Sequence, residues 1–423
     1  MAKPNLAYIP ATIGDKVYSI LPNDSVGDFD FDRASTATRI NAQGLIEEVA
    51  SGVNRLNYSL LDGEVVGCPH LLLEPERTNI FQRSEEFSNA YWNISRIETP
   101  YIADVVSPDG TLNAYTLEIS NGETNGGGVY RTGISISGDN SWSVFAKKKT
   151  ANYLVISDTG TTTNAVYFDL ENGTVGTTYN ATGEMQDFGN GWYRCTMKYT
   201  LTSSGAKFIY LSNLDGATGG GVQGGDSIYI YGAMLEEGSY PTSYIPNYGT
   251  ALGVTRAAET CNGSGNAATF NDSEGVLMAE ISALSNDITN RIISVSDGSG
   301  SNRVLVKFDN SSNLIQGTCT VGTDQASLLY YTNDITINSK VLFLYKSNDF
   351  QLWVDGFKRD FDTNGTTPSG LDRLNFDNSS GGSKFYGKTK QIQYFDTTDI
   401  DLEQLTSWDS FRAMAEGQKY NIE

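Results

Sequence analysis

Histidine is almost absent from this 423-residue sequence, and cysteine is rare. The only histidine is His70, and no Cys-x-x-Cys pair occurs among the four scattered cysteines, Cys68, Cys195, Cys261 and Cys319. One histidine cannot complete a zinc site of the usual spacing, and it offers no convincing Ser-His-Asp set. We therefore expect buried free thiols, no zinc or cofactor site and no enzyme activity.

Positive charge is also scarce. Lys and Arg number 29 against 50 Asp and Glu, which gives a formal net charge of −21. Nucleic-acid grooves and anionic membrane surfaces need concentrated cations, so this charge argues against both kinds of partner. The N-terminus lacks the apolar core of a signal peptide, and no apolar stretch approaches the length of a membrane span. We expect no membrane insertion, and synthesis and folding in a reducing cytoplasm.

Helical periodicity is weak over most of the chain, whereas 44 glycines and 24 tyrosines accompany short β-like runs. In GWYRCTMKYTL, residues 191–201, alternation places Tyr193, Cys195, Met197 and Tyr199 on one face of a strand. Short strands at regular spacing are typical of antiparallel sandwiches. Since the chain is too long for one core, the predicted fold class is all-β, with two tandem antiparallel jelly-roll or β-sandwich domains.

Composition divides the chain into four parts. Residues 1–75 are polar and have few residues for a core, so they predict an extended N-terminal attachment segment whose deletion leaves both sandwiches folded. Residues 76–250 hold the first sandwich and residues 270–423 the second. Between them, glycines and weak periodicity predict a linker over 251–269.

The chain closes with its one credible helix. Ile400, Leu402 and Leu405 form a roughly helical apolar stripe. Thr397, Thr398 or Asp399 is the expected N-terminal cap of this short C-terminal helix.

Because the sequence contains pairs of carboxylates, a glycan-degrading depolymerase is the second class of function considered. Glycoside hydrolysis needs two carboxylates at a suitable separation. The visible pairs are Glu47–Glu48, Glu236–Glu237 and Asp360 with Asp362. Neighbouring acids are expected by chance among 50, and no catalytic residue is assigned. Cys68 and His70 form a dyad only in sequence, because a nucleophile and its base are normally brought together by the fold.

Calcium is the one metal ion that the sequence leaves open. Asp and Asn side chains in sandwich loops suit a hard cation, and Asn271, Asp272, Ser273 and Glu274 could supply oxygens. No run matches an EF-hand loop, and solvated turns explain these residues more simply. No metal ligand is therefore assigned.

Aromatic residues are the candidates for glycan binding. Sugar rings stack on Trp or Tyr, while Asn, Asp and Gln bond their hydroxyls. The competing interpretation is a core position, because an aromatic residue on an alternating strand usually faces inward. The predicted glycan-binding residues are Trp92, Trp142, Trp192, Tyr229, Tyr231 and Trp353.

A series of motifs resembles tailed-bacteriophage virion proteins, of the tail-fibre, spike or capsid-decorating type. It begins with RASTATR at 33–39, GLIE at 44–47 and LLLEPERTN at 71–79, and SEEFSNAYW follows at 84–92. Later elements are GNGWYR at 189–194, GAMLEEGSYPTSYIP at 232–246 and VTRAAE at 254–259. The ordered matches cover about residues 29–260.

The resemblance implies a carbohydrate-binding-like jelly roll for the middle part and, more loosely, a concanavalin- or laminin-G-like sandwich for residues 270–410. It also implies that the polar N-terminal segment is a strap lying along neighbouring protein surface, the alternative being a mobile tail.

The leading hypothesis is a virion structural protein whose sandwiches contact host-surface glycans or neighbouring virion subunits. Fibres and spikes of this kind are usually symmetric homo-oligomers, and a trimer is favoured. A depolymerase and a purely architectural virion joint without ligand are the alternatives.

Overall fold

The computed structural model describes residues 3–13, 16–99, 103–158, 163–201, 205–217, 220–408 and 411–418. Antiparallel sheets dominate these ranges, and they form two sandwiches followed by short C-terminal helices. The all-β fold class predicted from the sequence is confirmed.

The N-terminal part is built from short strands joined by turns. Its eight strands are β1 (Leu6–Ile13), β2 (Lys16–Leu21), β3 (Asp30–Asp32), β4 (Ala37–Ile40), β5 (Ile46–Val49), β6 (Leu56–Leu61), β7 (Glu64–Leu73) and β8 (Arg77–Asn79). β4 pairs with β5 in a separate hairpin, whereas β1, β2, β6 and β7 join a larger sheet.

The first sandwich consists of two six-stranded sheets. Its strands are β9 (Asn93–Ser95), β10 (Ala103–Val106), β11 (Leu112–Glu118), β12 (Gly128–Arg131), β13 (Gly138–Lys148), β14 (Tyr153–Asp158), β15 (Asn164–Asp169), β16 (Thr174–Tyr179), β17 (Thr182–Asp187), β18 (Trp192–Leu201), β19 (Lys207–Ser212) and β20 (Ser227–Glu237). One sheet has the order β10-β11-β20-β13-β18-β17, and the other has the order β16-β15-β14-β19-β12-β9.

The predicted linker contains two short strands, β21 (Val254–Arg256) and β22 (Thr260–Asn262). β21 pairs with β8, and β22 pairs with β3. The segment predicted as a linker is therefore hydrogen-bonded to the N-terminal part.

The second sandwich packs a nine-stranded sheet against a five-stranded one. Its strands are β23 (Glu274–Ala283), β24 (Arg291–Ser296), β25 (Asn302–Phe308), β26 (Leu314–Val321), β27 (Thr323–Tyr331), β28 (Ser339–Lys346), β29 (Asp349–Val354), β30 (Phe357–Asp362), β31 (Arg373–Asn375) and β32 (Gly387–Phe395). Two short helices follow, α1 (Leu402–Ser407) and α2 (Phe411–Gly417). α1 is capped by Asp401, which accepts from the backbone N–H of Gln404, and not by the three residues expected from the sequence.

The N-terminal part is not an extended segment, which corrects the prediction for residues 1–75. β1 pairs with β32 over Leu6–Tyr8, and β7 pairs with the other end of β32 over Leu71–Leu73. Leu6, Tyr8, Leu71 and Leu73 are buried in the core of the second sandwich. The N-terminal strands β1 and β7 thus lie along one edge of β32, and β23 pairs with its other edge.

Strand alternation builds the core of the first sandwich as predicted. Cys195, Met197 and Tyr199 of β18 lie between the two sheets with Trp142 of β13. The opposite face of the same sheet buries Phe145, Trp192, Met234 and Tyr244. That face is covered by residues 239–246 and by the β4–β5 hairpin, through Ile46.

Candidate functional site

The second sheet of the first sandwich carries aromatic side chains on its outer face, which we call the aromatic face. Val155, Tyr167 and Tyr210 are buried there, and partly exposed Tyr153, Tyr179 and Phe208 pack against them. Every member of this cluster comes from β14, β15, β16 or β19. Tyr130 of β12 extends the row. Within the described residues, no other sheet contributes to this cluster.

Alternation explains why these side chains point outward. In β14, Leu154 and Ile156 lie in the core between the sheets, so Tyr153 and Val155 face the other way. In β19, Ile209 and Leu211 point inward, so Phe208 and Tyr210 take the outer face. The backbone pairing Val155–Tyr167 and Val155–Tyr210 then brings three strands' outer side chains side by side.

The rings form two groups of contacts, with Val155 of β14 between them. Tyr130 and Phe208 have ring centroids 5.4 Å apart at 31°, and Phe208 and Tyr210 are 5.2 Å apart at 68°. Tyr167 and Tyr179 meet edge-on at 6.4 Å. Such contacts fix ring orientation, so part of each partly exposed ring is presented in a defined direction.

Polar groups border the aromatic face. The hydroxyl of Tyr153 donates to Asp169 at 3.4 Å, and the hydroxyl of Tyr179 donates to the carbonyl of Gly216 at 3.0 Å. Asp215 accepts the backbone N–H of Thr177 at 2.8 Å. Burial, together with Asp169 and Asp215, raises the pKa of Tyr153, so its phenol stays protonated at neutral pH. The hydroxyl of Ser157 on this face is buried without a hydrogen-bond partner.

Four of the predicted glycan-binding residues lie in the interior. Trp92 and Trp142 are 3% and 0% exposed and pack around Phe81 in the core between the sheets. Trp192 and Tyr231 are 3% and 2% exposed on the covered outer face of the other sheet. A ring buried to this extent has no free face for a sugar, so their burial does not support the prediction.

The remaining two candidates are partly exposed but occupied. Tyr229 packs against the covered face, and the ammonium of Lys149 lies 5.6 Å from its ring centroid. Trp353 packs against the cluster under α1, with the ammonium of Lys358 at 5.7 Å from the ring. The aromatic face, which sequence reasoning missed, contains none of the six. The alternation of the aromatic face is visible in the runs NYLVIS and KFIYLS. The sequence does not tell which of the two sets of alternating residues faces the other sheet of the sandwich.

The motif residues meet instead at the junction of the two sandwiches. Arg33, Arg55, Glu74, Arg256 and Glu259 form a buried ion cluster, which we call the junction cluster. Glu259 binds Arg33 at 2.8 Å, and Glu74 binds both Arg55 and Arg256 at 2.9 Å. All five side chains are at most 4% exposed. Residues of the motifs RASTATR, LLLEPERTN and VTRAAE, together with Arg55, therefore hold together distant parts of the fold.

A cleft of about 470 Å³ lies beside the junction cluster, and we call it the junction cleft. The β4–β5 hairpin, β18 of the first sandwich and β32 of the second sandwich contribute to its lining. Its charged lining residues are Arg39, Glu74, Glu184, Arg194, Lys198 and Lys388. Its size is within the range of small-ligand sites, about 300–1,000 Å³.

The candidate catalytic residues are engaged elsewhere. His70 is 1% exposed and lies 3.3 Å from the side chain of Asn57, whereas Cys68 is exposed. Cys195, Cys261 and Cys319 are buried free thiols, as the sequence predicted, whereas the prediction of burial was wrong for Cys68. Glu47 pairs with Arg39, and Glu236 accepts the hydroxyl and backbone N–H of Thr242. Asp360 accepts the backbone N–H of Leu329, and Asp362 that of Asn364.

The loop considered for calcium is held by hydrogen bonds of its own. Asn271 accepts the backbone N–H of Ser273, and Asp272 accepts those of Gly370 and Leu371. Glu274 pairs with Lys346 at 2.6 Å. Among the described residues, no group of three or more His, Cys, Asp or Glu side chains is placed to hold a metal ion. Neither helix of the described chain has the length and apolar character needed to cross a membrane.

Comparisons with known proteins found matches among solved structures. No protein-family model and no curated protein matches the sequence. Among solved structures, the chain is similar to the Ruminococcus gnavus IT-sialidase CBM40 bound to alpha2,3 sialyllactose. The identity is 12%, the match covers 34% of this chain and 91% of that one, and the TM-score is 0.29.

Two further structures are similar at the same level. Mouse laminin alpha1 chain domains LG4-5 match at 10% identity over 64% of this chain and 85% of that one, with a TM-score of 0.25. Sheep Galectin-11 in complex with glycerol matches at 12% identity over 29% and 85%, with a TM-score of 0.19. The three are thus a carbohydrate-binding module, a pair of laminin G domains and a galectin.

Proposed function

We propose that the chain is a non-enzymatic virion structural protein whose first sandwich binds surface glycans through the aromatic face. The observation that supports the binding step is the row of aromatic rings on the outer face of one sheet. A pyranose ring places its C–H groups on an aromatic face, and neighbouring polar groups bond its hydroxyls. Tyr153 and Phe208 are partly exposed and orient their rings against buried neighbours, so they are the proposed stacking residues.

The charges beside the aromatic face favour a neutral glycan. Asp169 and Asp215 both act on the Tyr153 hydroxyl, so they lie near the proposed stacking position. Carboxylates accept hydrogen bonds from sugar hydroxyls, whereas they repel the carboxylate of a uronic or sialic acid. The net charge of −21 adds to this repulsion at low salt.

The test is binding of neutral and acidic polysaccharides to the purified chain by isothermal titration calorimetry. The double variant Tyr153→Ala, Phe208→Ala removes both proposed stacking rings and should weaken binding of a neutral polysaccharide by about tenfold or more. The matched control is Tyr331→Ala, because Tyr331 is 64% exposed on β27 of the other sandwich. Equal binding by the double variant, or no binding of any neutral polysaccharide to the unmodified chain, would contradict the proposal.

The proposal assigns no catalysis. Glu85 and Asp109 are a close carboxylate pair, and the hydroxyl of Tyr231 bonds both, at 3.1 and 3.0 Å. Glu85 also accepts the hydroxyl of Tyr244 at 3.0 Å, so these oxygens are engaged in internal bonds. Incubation with host polysaccharide should release no reducing ends. Steady release that disappears in Glu85→Gln would instead favour the depolymerase alternative.

The virion location and oligomeric state are supported by the motif resemblance. We propose a symmetric homo-oligomer, with a trimer favoured, that contacts other virion proteins. A chain of charge −21 associates through apolar surface, so the oligomer should be insensitive to salt. Light scattering at low and high salt and mass spectrometry of purified particles would test both statements. A monomer absent from particles would contradict them.

A purely architectural joint is the second candidate, and a specific observation favours it. The residues that carry the resemblance build the buried junction cluster rather than an exposed site. Particles that carry the Tyr153→Ala, Phe208→Ala chain distinguish the two candidates. Loss of adsorption to cells with normal copy number supports glycan binding, and unchanged adsorption supports the joint.

A further inference from the structure

The buried junction contains more cations than anions. Its buried cations are Arg33, Arg55, Arg194 and Arg256, and Arg77 and Lys388 are partly exposed. Within the described residues, these six cations face the buried carboxylates Glu74, Glu236 and Glu259 and the exposed Glu184 at the rim. Buried charges in proteins are normally paired, because an unpaired one loses its hydration without compensation. The excess is notable in a chain whose net charge is −21.

The rim of the junction cleft does not supply the missing negative charge. Arg39 pairs with Glu47 at 2.9 Å, and Lys198 pairs with Glu184 at 3.1 Å. Each of these two pairs has no net charge. The surplus positive charge of the cleft therefore comes from Arg194 and Lys388.

Lys388 and Arg194 both line the cleft, and neither has a carboxylate within 4 Å in the described part of the chain. Arg194 is 8% exposed, and its guanidinium donates to the hydroxyl of Ser143, the carbonyl of Thr242 and, at 3.9 Å, the sulfur of Met234. All three partners are uncharged. Burial lowers the pKa of Lys388, while the more distant Glu74 and Glu184 act against that shift. The fully buried Nε–H of Arg256 also lacks an acceptor.

We infer that the junction cleft binds a small organic anion, a molecule of sugar size that carries a carboxylate or a phosphate. Lys388 and Arg194 supply the positive charge for the anionic group. Gln186, Ser285 and Thr336 line the same cleft and offer amide and hydroxyl groups to the polar body of the ligand. The volume of about 470 Å³ accommodates a molecule of that size.

This site is separate from the aromatic face in residues and in ligand chemistry. The aromatic face belongs to β14, β15, β16 and β19 and is bordered by acids, whereas the cleft has a surplus of cations. The two proposals therefore fail independently. The Tyr153→Ala, Phe208→Ala chain should keep anion binding, and a cleft variant should keep binding of neutral polysaccharide.

The experiment is calorimetric titration of the full chain at low ionic strength with three probes, namely glucuronate, inorganic phosphate and glucose. The first two separate a sugar carboxylate from a phosphate, and glucose is the uncharged control. We expect binding of at least one anion at millimolar concentration and none of glucose. Lys388→Met should weaken that binding by about tenfold or more, because it removes a charge-assisted hydrogen bond.

Two further variants isolate the charge in the cleft. Lys388→Arg keeps the charge and should retain binding to within a few-fold. Lys390→Met makes the same charge change two residues along β32 but outside the cleft lining, so it should leave affinity nearly unchanged. In the absence of anion, Lys388→Met should melt at or above the temperature of the unmodified chain, because it removes a partly buried charge that has no carboxylate within 4 Å.

The inference is overturned if neither anion binds the unmodified chain at millimolar concentration. Equal anion affinity in Lys388→Met, or an equal loss in Lys390→Met, would also overturn it. Either of these two results would show that the anion binds through the positive charges of the surface in general and not through the junction cleft.

Discussion

Arg33 and Glu259 form an ion pair of 2.8 Å across 226 residues of chain. The same carboxylate also accepts from Arg55 at 2.9 Å and from the backbone N–H of Glu74 at 2.8 Å. All these groups are buried, so each one depends on the others for its hydrogen bonds. This ion pair thereby connects the RASTATR motif to the VTRAAE motif.

Glu259→Gln should destabilise the fold strongly. The change leaves Arg33 and Arg55 buried without the carboxylate that they share. Removing one partner of a buried ion pair lowers the free energy of unfolding by about 3–5 kcal/mol. Glu47→Gln is the control, because its pair with Arg39 has the same kind of geometry, 2.9 Å, but is partly exposed. That change should cost no more than about 1 kcal/mol. Urea unfolding measures both, and equal values would show that burial of the cluster does not matter.

Stability should fall on acidification, starting near pH 6.5. Burial, with Lys388, Lys390 and Arg55 nearby, lowers the pKa of His70 from 6.5 to about 3. The unfolded chain therefore binds a proton below pH 6.5 that the folded chain does not, and stability is lost as the pH falls toward 3. Each such group contributes a slope of at most about 1.4 kcal/mol per pH unit.

Glu74 adds a second decline at lower pH. Burial alone would raise the pKa of Glu74, but Arg256 and Arg55 hold it at about 2, below its ordinary value of 4.5. Its stabilisation is present above pH 4.5 and is lost between pH 4.5 and 2. Urea midpoints from pH 7.5 to 4 measure the effect of His70, and His70→Gln should flatten the part above pH 4.5. An unchanged pH profile in that variant would contradict the assignment.

Deletion of residues 1–75 should destabilise the second sandwich. It removes β1 and β7, which pair with the two ends of β32 along one edge. It also removes the buried side chains of Leu6, Tyr8, Leu71 and Leu73. This expectation reverses the one drawn from composition alone. Leu61→Ala is the control, because Leu61 also belongs to the N-terminal part but its side chain is 61% exposed on β6, so this change should leave the melting temperature nearly unchanged. A truncated chain that melts like the full one would show that these strands are dispensable.

Two glycines offer a matched test of the contact between the β6–β7 hairpin and the first sandwich. Gly63 has φ +75°, and a Cβ there would lie 2.4 Å from the backbone Cα of Gly189. Gly52 has φ +77° with nothing within 4 Å. Gly52→Ala should cost only the strain of positive φ, about 1 kcal/mol. Gly63→Ala should cost clearly more by thermal unfolding, and equal costs would argue against a tight contact.

The sequence by itself determined the fold class and the inward faces of long strands. In β18, alternation placed Cys195, Met197 and Tyr199 on one side, and all three lie in the core. This works because the period of a strand is two residues whatever the rest of the fold does. Local turn residues and short apolar runs likewise predicted two sandwiches.

The tertiary structure decided which outer face of the first sandwich is covered by another part of the chain. Trp192 and Tyr153 both point away from the core between the sheets. Residues 239–246 cover Trp192 on one sheet, whereas Tyr153 on the other sheet stays partly exposed. Alternation cannot distinguish these cases, because both side chains point away from the core. The pairing of β1 with β32 and the meeting of Arg33 with Glu259 are equally invisible in sequence, since each joins segments hundreds of residues apart. Only the long-range contacts of the folded chain bring the junction cluster, the cleft and its surplus charge together.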